Sequence, residues 1–318
     1  MSYEYMKIFE APQTTLRRGN DRSRRDRRDG AVYIWTPELE LAVNIALATE
    51  RPLLVRGPSG TGKSSLAASL AVAKGWRYYE EVVSSTTEAR HFLWRFDTLR
   101  RLSDAQAEKT EVKDPVHYVE PGVLWWSFDP ESAARRGVAP GMVTPLADPN
   151  RFPQQQDARA VVLIDEIDKA DPDVPNNLLV PLGSLEFTVT DAANAPVTAK
   201  VPPVVIITTN DERELPGAFT RRCVVAKLEA PDEGMLLRIA RAHFGDDSTD
   251  LYAAVYEKME AVAAAKKKSG LPLPSTAEFL DAIGTCLDLK VTPGDHSTWQ
   301  AIERAVFVKP AVQDDARP

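Results

Sequence analysis

Residues Gly57-Pro58-Ser59-Gly60-Thr61-Gly62-Lys63-Ser64 fit the phosphate-loop pattern G-x-x-x-x-G-K-[S/T] at every fixed position. Such a loop lets consecutive backbone N–H groups and a helix N-terminus converge on one anion. Lys63 would reach the β- and γ-phosphates of a nucleotide, and the Ser64 hydroxyl would hold Mg2+. Ser65 follows at the helix start and completes the candidate phosphate-binding set. A chance glycine-rich turn would lack the flanks found here. Pro52 to Arg56 is a short apolar run of strand type, and Ser65 to Ala73 is Ala/Leu-rich and ends at Gly75, a helix-terminating residue.

A phosphate loop alone does not say whether the nucleotide is cleaved. Val161-Val162-Leu163-Ile164-Asp165-Glu166 adds four apolar residues followed by two carboxylates, the Walker B arrangement. Asp165 would orient the Mg2+ shell, and Glu166 would position and polarise the attacking water as a general base. Acidic residues are also common at strand ends, but the upstream Lys63 favours the catalytic reading. Another strand pattern ends Thr208-Thr209-Asn210, where Asn210 would report the γ-phosphate or the water, or else simply open a turn. Arg221-Arg222, just before Cys223, are either a solvated pair or an arginine finger, offered in trans to a neighbouring subunit's nucleotide. The sequence does not choose between the two arginines.

The elements that must position these groups read as a parallel sheet flanked by helices. Buried-strand patterns cover Tyr78 to Val83, Ala160 to Ile164 and Val204 to Thr208, with Cys223 to Ala226 as one more. Structure is expected to begin near Val32, with Thr36 as N-cap and Pro37 at the first helical position. A long excursion spans about 86–157. It carries a helical portion from Glu88 to Gln106 and then the aromatic cluster Trp125, Trp126 and Phe128. Such a cluster either lines a pore that grips a polypeptide or packs beneath loops, and packing is the commoner fate. From Pro231 the chain turns helical, and Ser275-Thr276-Ala277-Glu278 matches a capping box.

With these motifs in order, the chain resembles the AAA+ ATPases, and more closely their MoxR-like branch, from about Tyr33 to Leu289. Further matches are Glu120-Pro121-Gly122-Val123-Leu124 and the hairpin-bearing segment from Leu178 through Leu185 to Val189. The resemblance implies an α/β fold: a P-loop NTPase parallel sheet flanked by helices, the AAA+ core, with a small all-helical C-terminal lid. Together with the composition, the expected arrangement is 1–30 as a disordered Arg-rich tail, 31–229 as the nucleotide-binding domain with its insertion at about 86–157, 230–290 as the helical lid and 291–318 as a C-terminal tail. ATP and Mg2+ would be bound, and a homo-oligomeric ring, usually of six, would remodel protein clients, often with a von Willebrand A-domain protein. One departure stands out: Pro274 to Glu278 holds no second-sensor arginine.

Composition bounds the rest. A formal net charge of -7 argues against general affinity for nucleic acid or anionic membrane, although the segment Arg17 to Asp29 carries seven arginines against three aspartates. That segment is expected to be a solvated arm. Cys223 and Cys286 are expected as buried free thiols, and His91, His117, His243 and His296 show no metal-ligand spacing. With no signal peptide visible and no apolar run near ~20 residues, a cytoplasmic protein is expected. Two alternatives to a remodelling machine remain: a slow-turnover nucleotide-gated assembly module, and a nucleic-acid-associated ATPase supported only by the arginine-rich segment.

Overall fold

The computed structural model of the protein describes residues 4–12, 30–106, 113–155, 157–294 and 296–308. Helix α1 (Pro37–Thr49) leads to strand β1 (Leu53–Arg56), helix α2 (Lys63–Lys74) and strand β2 (Arg77–Val82). The excursion then folds as β3 (Trp94–Phe96), α3 (Thr98–Gln106), β4 (Val119–Pro121), α4 (Val123–Phe128) and α5 (Pro130–Ala134). Strand β5 (Ala160–Asp165) and helix α6 (Asp173–Ser184) precede a hairpin of β6 (Glu186–Val189) and β7 (Ala195–Thr198). Next come β8 (Val204–Thr209), the short α7 (Gly217–Thr220) and β9 (Val224–Lys227). The chain ends in α8 (Glu233–Phe244), α9 (Thr249–Lys268), α10 (Thr276–Leu289), α11 (Ser297–Glu303) and a π-turn over Arg304–Val308.

Five strands form one parallel sheet in the order β2-β5-β8-β1-β9. Every residue of β5 and β8 is buried, because helices cover both faces of the sheet. On one face Leu54, Val162, Ile164 and Ile207 join Trp125 and Phe128 in a core; on the other Leu53, Val161 and Ile206 pack against α1 and α2. The fold is therefore the expected α/β P-loop sheet with a helical C-terminal region. That region has its own core, built on Tyr252, Phe279, Ile283 and Trp299. The expected capping box forms there: the Ser275 N–H donates to Glu278 Oε2 at 2.7 Å, and the Glu278 N–H returns to Ser275 Oγ at 3.4 Å.

Three expectations are corrected. Order does not wait for Val32, because Phe9 is fully buried against the sheet layer and the Ile8 and Phe9 N–H groups donate to Asn44 Oδ1 at 2.7 and 2.8 Å. The mixture of charged and aromatic residues around Phe9 shows no strand or helix period, which hid this anchor; it forms only once α1 presents Asn44. The arginine-rich segment 17–29 lies outside the described residues. The span Glu88 to Gln106 is not one helix. It is a 3-10 turn (Ala89–Phe92), then β3 antiparallel to β4, then α3, which buries none of its residues. Pairing of Trp94 and Phe96 with β4 overrides the local helical pattern. Finally, 291–318 is not wholly a tail: Trp299 and Phe307 close the core of the helical region and are at most 1% exposed.

The aromatic cluster is packed. Trp125 and Phe128 are at most 1% exposed and Trp126 is 4% exposed, and Trp125 and Phe128 lie against Phe187 of β6. The Trp125 indole N–H is satisfied by Ser132 Oγ at 3.2 Å.

Candidate functional site

Three strands end at the site. Because β8 lies between β1 and β5, their C-terminal edges are neighbours, which is where open parallel sheets bind ligands. From β1 the chain enters the glycine loop and then α2. From β5 it delivers Asp165 and Glu166, and from β8 it delivers Asn210. This order brings together residues separated by more than a hundred positions.

The contacts are tight. The Lys63 ammonium donates to the carbonyls of Gly57 and Pro58, each at 2.7 Å, and to Asn210 Oδ1 at 2.8 Å. Asn210 Nδ2 in turn donates to Glu166 Oε1 at 3.1 Å, so Asn210 links the loop lysine to the second acidic residue. Ser64 Oγ donates to Asp165 Oδ1 at 2.7 Å, and Thr208 Oγ1 donates to the same oxygen at 2.6 Å. The Glu166 N–H donates to Thr208 Oγ1 at 2.8 Å. That bond helps hold Glu166 in a left-handed conformation, φ 62, which costs a non-glycine residue ~1–3 kcal/mol and recurs at functional sites. Lys169 pairs with Glu166 Oε2.

Burial lowers the Lys63 pKa from its ordinary value, and the nearby carboxylates of Asp165, Asp168, Glu166 and Asp211 oppose that shift. A buried cation beside this acidic set suits a site for an anion carried with a divalent metal. Ser64 and Asp165 supply hard oxygen donors, the type Mg2+ prefers, so the residues fit that ion. The cleft above them has a volume of about 680 Å³, within the usual range for a small-molecule site. Residues Ser59 to Ser65, Asp165, Glu166 and Asn210 line one side; Ile34, Met235, Ile239 and Leu280 give the other an apolar wall. Gly57 and Pro58 sit behind the cleft and act through their carbonyls.

The arginine pair is elsewhere. Arg221 and Arg222 are exposed and do not line the cleft. Their backbone is held by Arg51, whose Nε donates to the Arg222 carbonyl at 3.0 Å and whose Nη2 donates to that of Arg221. Where the second-sensor arginine is missing, the N-terminus of α10 meets the phosphate loop directly. A methyl placed on Gly60 would lie 2.4 Å from Ser275 Cβ, and Thr276 and Ala277 line the cleft.

Sequence reasoning missed Thr208, Asp168 and Lys169 as members of the site. Two fully buried threonines, Thr208 and Thr209, ending an otherwise aliphatic strand were the available signal. For Asp168 the signal was its place within Asp165-Glu166-Ile167-Asp168.

The profile of the AAA domain (dynein-related subfamily) matches residues 52–223. A solved structure of an ATPase candidate from Cytophaga hutchinsonii is similar over 83% of this chain and 78% of its own length, at 12% identity and a TM-score of 0.38. Among curated proteins, none matches significantly.

Proposed function

The chain belongs to the AAA domain family, dynein-related subfamily, and from that premise we propose that it hydrolyses ATP with Mg2+ as a MoxR-like, chaperone-type remodelling machine. The observation that carries the reading is Asn210, whose amide joins Lys63 at 2.8 Å to Glu166 at 3.1 Å in one cleft. In this reading Lys63 grips the β- and γ-phosphates, while Ser64 and Asp165 hold Mg2+. The metal ion, when bound, neutralises charge building on the phosphate oxygens. Glu166 takes a proton from water as the water oxygen attacks the γ-phosphorus and the bond to the β-phosphate oxygen breaks. Asn210 orients that water. Arg221 or Arg222 stabilises the transferring group from a neighbouring subunit, which requires a homo-oligomer, read here as a six-membered cytoplasmic ring. Residues 31–229 would form the nucleotide domain and 230–290 the lid, acting on a protein client together with a von Willebrand A-domain partner.

The test is a pair of variants. Glu166→Gln is expected to keep nucleotide affinity while turnover falls by ~10²–10⁴-fold, whereas Lys63→Ala loses both. Native mass spectrometry of Glu166→Gln with ATP reads subunit count and nucleotide together. Full turnover in Glu166→Gln would overturn the assignment.

A slower nucleotide-gated assembly module is favoured by one observation: both Glu166 carboxylate oxygens already have partners, Asn210 and Lys169. ATPase activity that rises with protein concentration in the micromolar range would remove that alternative.

A further inference from the structure

We infer that Asp168 is a positioning residue for Asn210, fastening the turn after β5 to the loop after β8; the inference rests on the hydrolytic reading of the cleft. Asp168 lies in the 3-10 turn Ile167–Lys169 and is 3% exposed. One of its oxygens, Oδ2, accepts from the Asn210 N–H at 3.1 Å and from the Glu212 N–H at 3.0 Å. Between those two residues Asp211 adopts a left-handed conformation, φ 59, and its own N–H turns away to Thr209 Oγ1 at 3.0 Å. The amides on either side of this reversed residue thus converge on a single buried carboxylate oxygen, as backbone N–H groups do around a bound anion.

The consequence reaches the chemistry through Asn210. With its N–H fixed by Asp168, the Asn210 side chain has only its own torsions left, and both ends of its amide are committed to Lys63 and Glu166. Asp168 does not itself line the cleft; it holds the loop that carries Asn210, which does. A buried carboxylate is costly unless it is hydrogen-bonded. Here Oδ1 has no partner among the described residues. A residue placed only for packing would be better served by an aliphatic side chain, so the fastening of the two turns is what the carboxylate contributes.

The experiment is a double-mutant cycle on the full chain with Asp168→Ala and Asn210→Ala, reading kcat and KM separately. Asp168→Ala is expected to lower kcat about tenfold with KM little changed, and to add less than about twofold once Asn210 is already alanine. Asp168→Asn keeps an acceptor in the Oδ2 position and is expected to stay within about threefold of the parent, which guards against a folding defect in the alanine variant. Hydrogen exchange at the Asn210 and Glu212 amides should accelerate in Asp168→Ala but not in Asp168→Asn. Independent, additive losses in the cycle, or unaltered exchange at both amides, would overturn the inference alone. Full turnover by Asn210→Ala would instead remove the sensor reading, and this inference with it.

Discussion

Replacing Gly57 by alanine isolates how the phosphate loop is seated. Gly57 has φ +147, a conformation that side chains rarely adopt, and a methyl there would lie 2.0 Å from the Leu228 carbonyl oxygen. Carbon and carbonyl oxygen settle at ~3.3 Å, so about 1.3 Å of overlap must be relieved by backbone on one side or the other. Neither side yields easily. The Leu228 N–H is bonded to the Arg56 carbonyl at 2.8 Å, and the Gly57 carbonyl accepts from Lys63 at 2.7 Å. Backbone strain of ~1–3 kcal/mol and overpacking of similar size together predict a loss of about 3–4 kcal/mol. Gly75→Ala is the control: it has φ +69 and nothing within 4 Å of the new methyl, so only the conformational cost of about 1 kcal/mol applies. Urea denaturation monitored by far-UV circular dichroism compares the two variants, and nucleotide affinity should fall in Gly57→Ala alone because Lys63 is displaced. Equal destabilisation of the two variants, within about 1 kcal/mol, would refute the reasoning from Leu228.

Other outcomes follow from the same geometry. Trp125→Ala removes a fully buried indole and is expected to cost ~3–5 kcal/mol, measured by chemical denaturation; a loss near zero would mean the cluster is not core. Burial raises the thiols of both Cys223 and Cys286 from 9.0 to about 11. The folded state thus holds those protons more tightly, and the stability this contributes is complete below pH 9 and is lost as pH rises through about 11. A fall in Tm between pH 9 and 11 that is shallower in Cys223→Ala checks this. If Arg221 or Arg222 acts in trans, the finger variant loses ~10³–10⁵ in rate, and mixing it with Lys63→Ala subunits restores turnover that neither shows alone. A mixture as inactive as its parts would argue against exchange of arginines between subunits.

The local geometry of the candidate site was legible where it depends on short spacing. The glycine loop, the two carboxylates closing an aliphatic run and the Ser275–Glu278 capping box are each fixed by residues a few positions apart, and each forms. What could not be read depends on strand order. Asp168 and Asn210 are far apart in sequence and meet only because β8 lies beside β5. Phe9 and Trp299 sit in short stretches of mixed character whose burial requires a partner surface built elsewhere, on α1 and on the helical core. Trp94 and Phe96 read as helix because their strand partner, β4, lies beyond an intervening helix.

The same distinction bears on the missing second-sensor arginine. An arginine at the start of α10 would join lid to nucleotide through a long side chain, and Pro274 to Glu278 offers none. The structure brings loop and helix together in another way. The phosphate loop meets the end of β9 at Gly57 against the Leu228 carbonyl, and meets the first residue ahead of α10 at Gly60 against Ser275. Both contacts are made by backbone or a short capping side chain, which have few torsions to absorb a displacement. Ser275 is itself tied at 2.7 Å to Glu278 within α10. In this chain, small residues bring the loop against the start of α10 without a long cation.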